Sequence, residues 1–389
     1  MNVTGIVCEY NPLHLGHQKQ IRFLKDRGDA VVCIMSGHFV QRGHPAVFDK
    51  SLRAQAAIAC GADLVLELPV TCALSSAEGF AAGAVRFLSA ICNQICFGAE
   101  TDDLSQILNT ARVLLDPGFS PALRAQLETG KSFPAARAAA LEDLGLDAAV
   151  LASPNNILAV EYCKAIFVQN SGLTPLLIHR EGSYHDRAPD PENPSATAIR
   201  TAMAAGQPWE RYVPEAAAAL FQNAPCHSLS TGERAILAKL RTMTDSEFEA
   251  LPYGSEGLWR SLMHASRREA TLEAILESVK SKRYTRTRLD RMVMCAFLGI
   301  SQEILESPAP YARVLAFNDT GRALLSQVKK TGLFPNAGES MDHPYQTLET
   351  RCGALYGLFA EETPEAPDVE RLRRVKYEKS AEHRMHNAE

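Results

Sequence analysis

The sequence lacks any apolar run of the roughly 18 residues that a membrane-spanning helix needs. It begins Met1-Asn2-Val3 without the basic region of a secretory leader, so we expect neither a cleaved signal peptide nor a membrane anchor. Its ten cysteines include no C-x-x-C pair, and the closest two are Cys92 and Cys96. That absence argues against a zinc or redox site, and cysteines within apolar segments predict reduced thiols in a cytoplasmic protein.

Two common phosphate-binding patterns are also missing. The chain contains neither the Walker A pattern nor G-x-G-x-x-G, which excludes a P-loop and a dinucleotide fingerprint. A net charge of −5 argues against a general nucleic-acid coat protein, although it is compatible with a local basic patch. The length of 389 residues favours two domains.

The first half of the chain alternates short β-branched runs with amphipathic segments. The predicted strands are Val3–Cys8, Ala30–Met35, Asp63–Leu68, Gln94–Gly98, Ala149–Ala152 and Thr174–His179. The predicted helices are His17–Arg27, Asp49–Cys60, Ala77–Leu88, Leu104–Leu115 and Asn156–Val168. This alternation indicates an α/β fold, a Rossmann-like, doubly wound parallel sheet covered by helices on both faces.

The second half has a different character. A Gly-, Pro-, Asp- and Ser-rich stretch from 181 to 194 predicts a loop, and Ser195 or Thr197 is placed to cap the next helix. Strand patterns then nearly disappear, and helical runs such as 232–241, 256–279 and 289–298 dominate. We therefore expect a nucleotide-binding domain over residues 1–204 and a mostly α-helical domain over 205–389.

The strongest chemical motif follows the first strand, where a proline-bearing turn leads into His14-Leu15-Gly16-His17. A helix N-terminus offers free N–H groups and a positive dipole end, both suited to phosphate, and Gly16 permits close approach. Two imidazoles three residues apart can donate hydrogen bonds to phosphoryl oxygens as pyrophosphate leaves. The other interpretations are a capping role, an incidental surface pair, or metal ligands without an evident third ligand.

Further polar residues follow later strands, at the sheet edge where ligands bind in such folds. Arg42 and Lys50 are placed to hold a carboxylate or phosphate, and the alternative for Arg42 is a solvated loop charge. Gly98 can admit a base or ribose against bare backbone, or it is simply a turn glycine.

Two more strand ends carry candidate ligands. One of Asn155 and Asn156 is expected to be the N-cap of a helix, and either can bind an adenine edge. Arg180 closes the sixth predicted strand and is suited to phosphates.

The helical half contains one strongly basic segment, residues 280–291, with six basic residues and one acidic residue around a tyrosine. Basic and aromatic side chains together are suited to RNA phosphates and an unstacked base. The predicted RNA-binding residues are Lys280, Lys282, Arg283, Tyr284, Arg286 and Arg288. The alternative is a solvated helix face with a capping threonine.

Three blocks together resemble the bacterial tRNA(Met) cytidine acetate ligases. They are Glu9-Tyr10-Asn11-Pro12 with the His14-x-Gly16-His17 motif, the stretch Met35 to Gly43, and the stretch Lys282 to Arg288. The resemblance extends over most of the chain. The His-x-Gly-His motif alone would indicate only the wider nucleotidyltransferase superfamily.

The resemblance implies a two-step reaction. ATP, carried with Mg²⁺, and acetate would give acetyl-adenylate and pyrophosphate, and the wobble cytidine of elongator tRNA(Met) would then take the acetyl group at N4. Catalysis would fall to His14, His17 and Arg42. The ATP site would comprise Val7, Cys8, Glu9, Tyr10, Asn11, Pro12, Leu13, His14, Leu15, Gly16, His17, Gln18, Lys19, Gln20, Gly98, one of Asn155 and Asn156, and Arg180.

One departure from the superfamily lies at residues 195–200, where related families carry a lysine-bearing second signature. This chain has no lysine there, so Arg200 would have to supply the positive charge. No protein-held metal site is expected.

Two other functions use parts of the same pattern. An adenylyltransferase of a small phosphorylated cofactor precursor would share the first domain but leave the second domain and the basic segment unexplained. A non-catalytic RNA-binding protein with a relic nucleotide site is disfavoured by the intact His14, Gly16 and His17.

Overall fold

The computed structural model describes residues 1–180, 194–281, 283–363 and 369–379. Its strands are β1 Val3–Cys8, β2 Ala30–Ser36, β3 Phe39–Val40, β4 His44–Pro45, β5 Leu64–Leu68, β6 Gln94–Ala99, β7 Thr174–His179, β8 Val314–Phe317 and β9 Lys376–Tyr377. Its helices are α1 Leu15–Asp26, α2 Lys50–Ala59, α3 Val70–Ala73, α4 Ala77–Leu88, α5 Leu104–Leu115, α6 Phe119–Glu128, α7 Phe133–Asp143, α8 Pro154–Val168, α9 Ala196–Ala204, α10 Glu215–Phe221, α11 Leu229–Thr242, α12 Asp245–Glu249, α13 Leu258–Arg268, α14 Leu272–Val279, α15 Arg286–Leu298, α16 Gln302–Glu306, α17 Asp319–Val328, α18 Tyr345–Tyr356 and α19 Val369–Leu372.

The main sheet has seven strands in the order β7-β6-β1-β2-β5-β8-β9. The five strands from β7 to β5 run parallel, with Val3 opposite Ala30 and Gln94 opposite Thr174. The chain moves outward from β1 through β2 to β5 and then returns to the other side of β1 at β6. The topological switch point therefore lies between β1 and β6, where ligands of such sheets bind at the carboxyl ends of the strands.

Both faces of the sheet are buried. All seven residues of β2 are buried. Val32 and Ile34 pack with side chains of α4, α5 and α8, whereas Val31 and Cys33 pack with those of α1, α2 and α10. Because successive strand residues point to opposite faces, this near-continuous apolar pattern confirms the doubly wound sheet.

Two details of the predicted elements are wrong. Ala149–Ala152 is not a strand, because residues 148–151 form a 3-10 turn in which Asp147 Oδ1 accepts a hydrogen bond from Ala149 N at 2.8 Å. The run 256–279 is two helices, since Thr271 caps α14 with its Oγ1 3.2 Å from Ala274 N. The mostly helical second half nevertheless contributes two short strands to the sheet, because β8 pairs antiparallel with β5 and β9 pairs with β8.

The helices of the second half form their own apolar core. Ile236, Leu262 and Met292 are buried there, and Phe39 and Leu74 of the first half insert into it. The chain then returns to the sheet through β8 and β9. A division at residues 204 and 205 stays a prediction, and the loop predicted over 181–194 lies, except for Pro194, outside the described residues.

The described residues bear on the cysteines and on membrane-spanning helices. All ten cysteines lie within them and are free thiols. Within the same ranges, no helix is both long and apolar enough to cross a membrane.

Candidate active site

The loop after β1 is held in place by a buried arginine of α2. Arg53 is fully buried and donates from Nη1 to the carbonyl of Glu9 at 2.6 Å and from Nε to the carbonyl of Phe48 at 2.9 Å. It also donates to the carbonyls of Ser36 and Gly37. One side chain thus joins the carboxyl ends of β1 and β2. The sequence around Arg53 does not predict this role, because its partners are backbone carbonyls outside α2.

The two motif histidines lie at the start of α1 with their rings stacked, the centroids 3.7 Å apart. His14 is the N-cap residue, and His17 Nδ1 accepts a hydrogen bond from the His14 backbone N–H at 3.3 Å. An Nδ1 that accepts leaves the proton of a neutral His17 on Nε2. His17 Nε2–H is therefore available as a donor.

Both imidazoles are neutral near neutral pH. Burial lowers the pKa of His14 to about 3, and the positive charges of Arg180 and Arg200 act in the same direction. The pKa of His17 also lies well below its usual value, because of burial, His14 and Arg180. The pair thus acts through hydrogen bonds in a positive environment, which suits an anionic ligand.

One observation fits a phosphate ligand at this position, and the surroundings of Gly16 qualify the role expected for that glycine. His14 Nδ1 is buried and has no hydrogen-bond partner among the described residues. A methyl group on Gly16 would lie only 3.1 Å from His14 Cε1, so the bare glycine leaves room for the His14 ring rather than for phosphate alone. A buried ring nitrogen without a partner is expected where a ligand supplies one.

Two arginines from later in the chain approach the same loop. Arg200 of α9 donates from Nη1 to the carbonyl of Asn11 at 2.6 Å and from Nη2 to Thr197 Oγ1 at 3.2 Å. Of the two capping residues expected from the sequence, Ser195 caps α9, with its Oγ 3.1 Å from Ala198 N. Arg180 follows β7, and its charge is one that lowers the pKa of His14. Two guanidinium groups therefore flank the histidines.

The structure distinguishes the two asparagines after residue 153. Asn156 is buried, and its Oδ1 accepts from the backbone N–H groups of Glu100 and Thr101 at 2.8 and 3.2 Å. Asn155 lines the cavity and contacts Glu100 Oε1 at 2.7 Å and Arg180 Nη1 at 3.3 Å. The expectation that one of them is the N-cap is wrong, because α8 begins at Pro154 and its N-cap is Ser153.

Gly98 lies at the end of β6, beside Arg180. A methyl group there would lie 2.6 Å from Arg180 Cδ, so the glycine leaves space for the arginine side chain. The absence of a side chain at Gly98 thus allows the Arg180 side chain to reach the cavity.

These residues line one cavity of about 1770 Å³. The lining includes most of the predicted ATP site: Val7, Cys8, Glu9, Tyr10, Asn11, His14, Gly16, His17, Lys19, Gln20, Gly98, Asn155 and Arg180, together with Arg42 and Arg200. Pro12, Leu13, Leu15, Gln18 and Asn156 are outside this lining. Leu13 packs instead in the apolar core beneath α1 and α2.

Arg42 lies in a hairpin formed by β3 and β4. Gln41 N donates to Glu9 Oε1 at 2.8 Å, which ties the hairpin to the end of β1. Gly43 has φ +81, and a methyl group on it would lie 2.5 Å from the backbone N of Arg291 in α15. The hairpin thus places the exposed Arg42 on the cavity wall between the sheet edge and α15.

Lys50 is not a ligand-binding residue, which corrects the expectation from the sequence. Its ammonium is buried and pairs with Glu67 at 2.7 Å and Glu370 at 2.8 Å. Arg373 extends this network by pairing with Asp49 at 2.8 Å and Glu370 at 2.9 Å. These ion pairs attach the returning C-terminal segment to α2, and a lysine used in this way has no charge left for substrate.

The basic segment, residues 280–291, contributes to the wall of the same cavity. Several of its arginines form ion pairs with carboxylates. Arg286 pairs with Glu273, Glu277 and Asp290, and Arg283 pairs with Glu256 at 2.7 Å. Lys282 lies outside the described residues. The intervening Thr285 and Thr287 line the large cavity.

The other predicted RNA-binding residues have local partners. Tyr284 donates from its hydroxyl to Glu256 at 3.1 Å, and Lys280 pairs with Glu277 at 3.1 Å. Arg288 donates from Nη2 to the carbonyl of Tyr253 at 2.7 Å. Arg288 is therefore bound into the fold, whereas Lys280 and Arg283 keep exposed charged groups.

A parallel sheet with paired histidines beginning the helix after its first strand, at the switch point, defines a nucleotidyltransferase. The chain matches the family model described as HIGH Nucleotidyl Transferase over residues 1–368. Among the described residues, no group of three or more His, Cys, Asp or Glu side chains is arranged to hold a metal ion.

Individual proteins similar to this chain over most of its length define the family more narrowly. The chain is 36% identical over 381 residues to the tRNA(Met) cytidine acetate ligase of Clostridium acetobutylicum, covering 91% of this chain and 94% of that protein. It is 38% identical over 360 residues to the ligase of the same name from Clostridium tetani, covering 86% and 89%. The chain belongs to the tRNA(Met) cytidine acetate ligase family.

Solved structures agree with this assignment. The apo crystal structure of Thermotoga maritima TmcAL superimposes with a TM-score of 0.89 at 28% identity, covering 98% of this chain and 100% of that one. A second crystal structure of that protein, bound with alpha-thio ATP, superimposes with a TM-score of 0.87.

Proposed function

We propose that this chain activates acetate with ATP and transfers the acetyl group to N4 of the wobble cytidine in elongator tRNA(Met). One cavity carries the proposal, because it runs from His14 and His17 at the sheet edge to Thr285 and Thr287 in the basic segment. A site that only adenylated a small molecule would not need to open toward that segment. The choice of tRNA(Met) as the acceptor and acetate as the acid follows the relatives, which are tRNA(Met) cytidine acetate ligases.

In the first step, an acetate oxygen forms a bond to the α-phosphorus of ATP. The bond from that phosphorus to the bridging oxygen of pyrophosphate breaks, and pyrophosphate leaves. Mg²⁺ carried with ATP would offset part of its negative charge. His17 Nε2–H and the His14 ring donate hydrogen bonds to oxygens that gain charge, while Arg180 and Arg200 hold the phosphates. Losing one such donor typically lowers a rate by about 10²–10³.

In the second step, N4 of the cytidine forms a bond to the acetyl carbon. The bond from that carbon to the phosphate oxygen of AMP breaks, and N4 loses one proton. The protein's contribution is positioning and charge stabilisation, since the acetate and the amine are themselves the nucleophiles. Asn155 is the asparagine suited to the nucleotide, and Arg42 faces the reacting groups from the hairpin.

Because all ten cysteines are free thiols, we propose that the protein works in a reducing cytoplasm.

The deciding experiment is exchange of labelled pyrophosphate into ATP, with and without acetate and with and without unmodified tRNA(Met). Exchange that requires acetate supports carboxylate adenylation, and labelled acetate then appears as N4-acetylcytidine in the tRNA. Exchange with propionate at the same rate would contradict the choice of acetate. No exchange under any condition would contradict the proposed function and favour the adenylyltransferase or the relic-site alternative.

A further inference from the structure

Arg291 differs from the other arginines of the basic segment in its partners. Arg283 and Arg286 pair with carboxylates, and Arg288 is bound to the carbonyl of Tyr253. Arg291, one turn after Arg288 in α15, forms no ion pair with a carboxylate among the described residues. Its guanidinium lies over the Tyr253 ring, with Cζ 5.0 Å from the ring centroid. Its charge is therefore not neutralised within the described fold.

The position of Arg291 is suited to a ligand. Its side chain lines the same cavity as His14 and His17. Its Nε is buried and has no hydrogen-bond partner among the described residues. Buried donors are almost always paired, and a guanidinium can offer two parallel N–H groups to a phosphate. A phosphate bound in the cavity would supply the missing partner.

That phosphate is not expected to be one of ATP. The arginines whose charges lower the pKa of His14 are Arg180 and Arg200, which flank the histidine pair. Instead, Arg291 lies behind the β3–β4 hairpin, whose Gly43 packs on its backbone. It follows Thr285 and Thr287, which line the part of the cavity nearest the basic segment.

We propose that Arg291 binds a backbone phosphate of the acceptor RNA beside the nucleotide that enters the cavity. This assignment rests on the proposed function, because it assumes an RNA acceptor. Arg291 would then hold the RNA strand in the cavity, while Lys280 and Arg283 would attract it at the surface. Arg291 is thus a substrate-positioning residue of the second step.

The test compares Arg291→Ala, Arg291→Lys and the control Arg322→Ala, which removes a 59% exposed charge from α17 outside the cavity lining. Affinity for tRNA(Met) is measured by filter binding over a range of salt concentrations. Arg291→Ala is expected to bind about tenfold more weakly, with a log–log salt slope shallower by about 1. Arg291→Lys keeps its charge and is expected to keep most of the slope. Arg322→Ala should match the wild type.

Pyrophosphate exchange without RNA separates this proposal from a role in ATP binding. Arg291→Ala is expected to retain acetate-dependent exchange and to lose acetyl transfer at low tRNA concentration. Loss of exchange in parallel with transfer, or unchanged RNA affinity and salt slope in both Arg291 variants, would overturn the assignment. If the wild type shows no acetate-dependent exchange, the proposed function fails, and the binding comparison still decides whether Arg291 contacts RNA.

Discussion

The rings of His14 and His17 stack with their centroids 3.7 Å apart and an angle of 25° between their planes. The backbone N–H of His14 is bonded to the His17 ring, and Gly16 leaves room for the His14 ring. Each imidazole thus fixes the orientation of the other. Because burial keeps both neutral, they can serve as a preorganised pair of donors without paying to desolvate a charge during the reaction.

The first prediction concerns this pair. His17→Ala removes the Nε2–H donor and should lower acetate-dependent pyrophosphate exchange by about 10²–10³. His14→Ala should have an effect of similar size, and the double variant should lose less than the product of the two, since stacked residues act together. The exposed His343→Ala serves as a control with unchanged exchange.

The affinity for tRNA(Met) should be unaffected in these histidine variants. Exchange at the wild-type rate in His17→Ala would remove the histidine pair from the reaction. Strictly multiplicative losses would show that the two rings act independently despite their contact.

A second prediction follows from the lowered pKa of His14. The unfolded chain binds a proton at this residue below pH 6.5, whereas the folded chain does so only near pH 3, so the folded state loses stability as pH falls between these values. From pH 7 to pH 5 this one group should lower the free energy of unfolding by about 2 kcal/mol. His14→Gln removes the titration and should lose correspondingly less. Urea unfolding of both proteins at the two pH values measures the difference, and identical losses would contradict the burial of a neutral His14.

A third prediction separates Asn155 from Asn156. Asn156→Ala leaves two backbone N–H groups without their acceptor and should lower the free energy of unfolding by about 1–3 kcal/mol. Asn155→Ala should leave stability nearly unchanged and raise the KM for ATP in the exchange reaction. Thermal unfolding and exchange kinetics on both variants form a matched comparison. The reverse pattern would assign nucleotide binding to Asn156.

The central fold and the histidine motif could be predicted because both are local patterns. Continuous apolar strands such as β2 and a glycine between two histidines need no knowledge of distant residues. The role of Arg53, the burial of Lys50 and the joining of β8 to the sheet depend on contacts between segments far apart in sequence. A basic residue looks the same in sequence whether it faces RNA or a buried carboxylate, and Lys50 shows this ambiguity.

A fourth prediction tests the contact between the hairpin and α15. Gly43 and Gly206 both have positive φ, +81 and +64, so alanine at either position should cost about 1–2 kcal/mol in backbone strain. Nothing lies within 4 Å of a methyl group on Gly206, whereas one on Gly43 would meet the backbone of Asp290 and Arg291. Gly43→Ala should therefore lower the free energy of unfolding by about 1–3 kcal/mol more than Gly206→Ala, the usual cost of overpacking. Equal losses in chemical denaturation would contradict close packing at this point.

A fifth prediction divides the basic segment by how its charges are paired. Lys280 and Arg283 remain 47% and 66% exposed, and surface ion pairs such as theirs contribute little, so both charges are available to phosphate. Removing both by alanine substitution should make the log–log salt slope of tRNA binding shallower by about 2. Arg286 already pairs with three carboxylates, so Arg286→Ala should lower the melting temperature and change the salt slope little. Salt titrations of tRNA binding and thermal unfolding of both variants make the comparison. A larger change of slope in Arg286→Ala than in the double variant would contradict this division, because it would show that the ion pairs of Arg286 open when RNA binds.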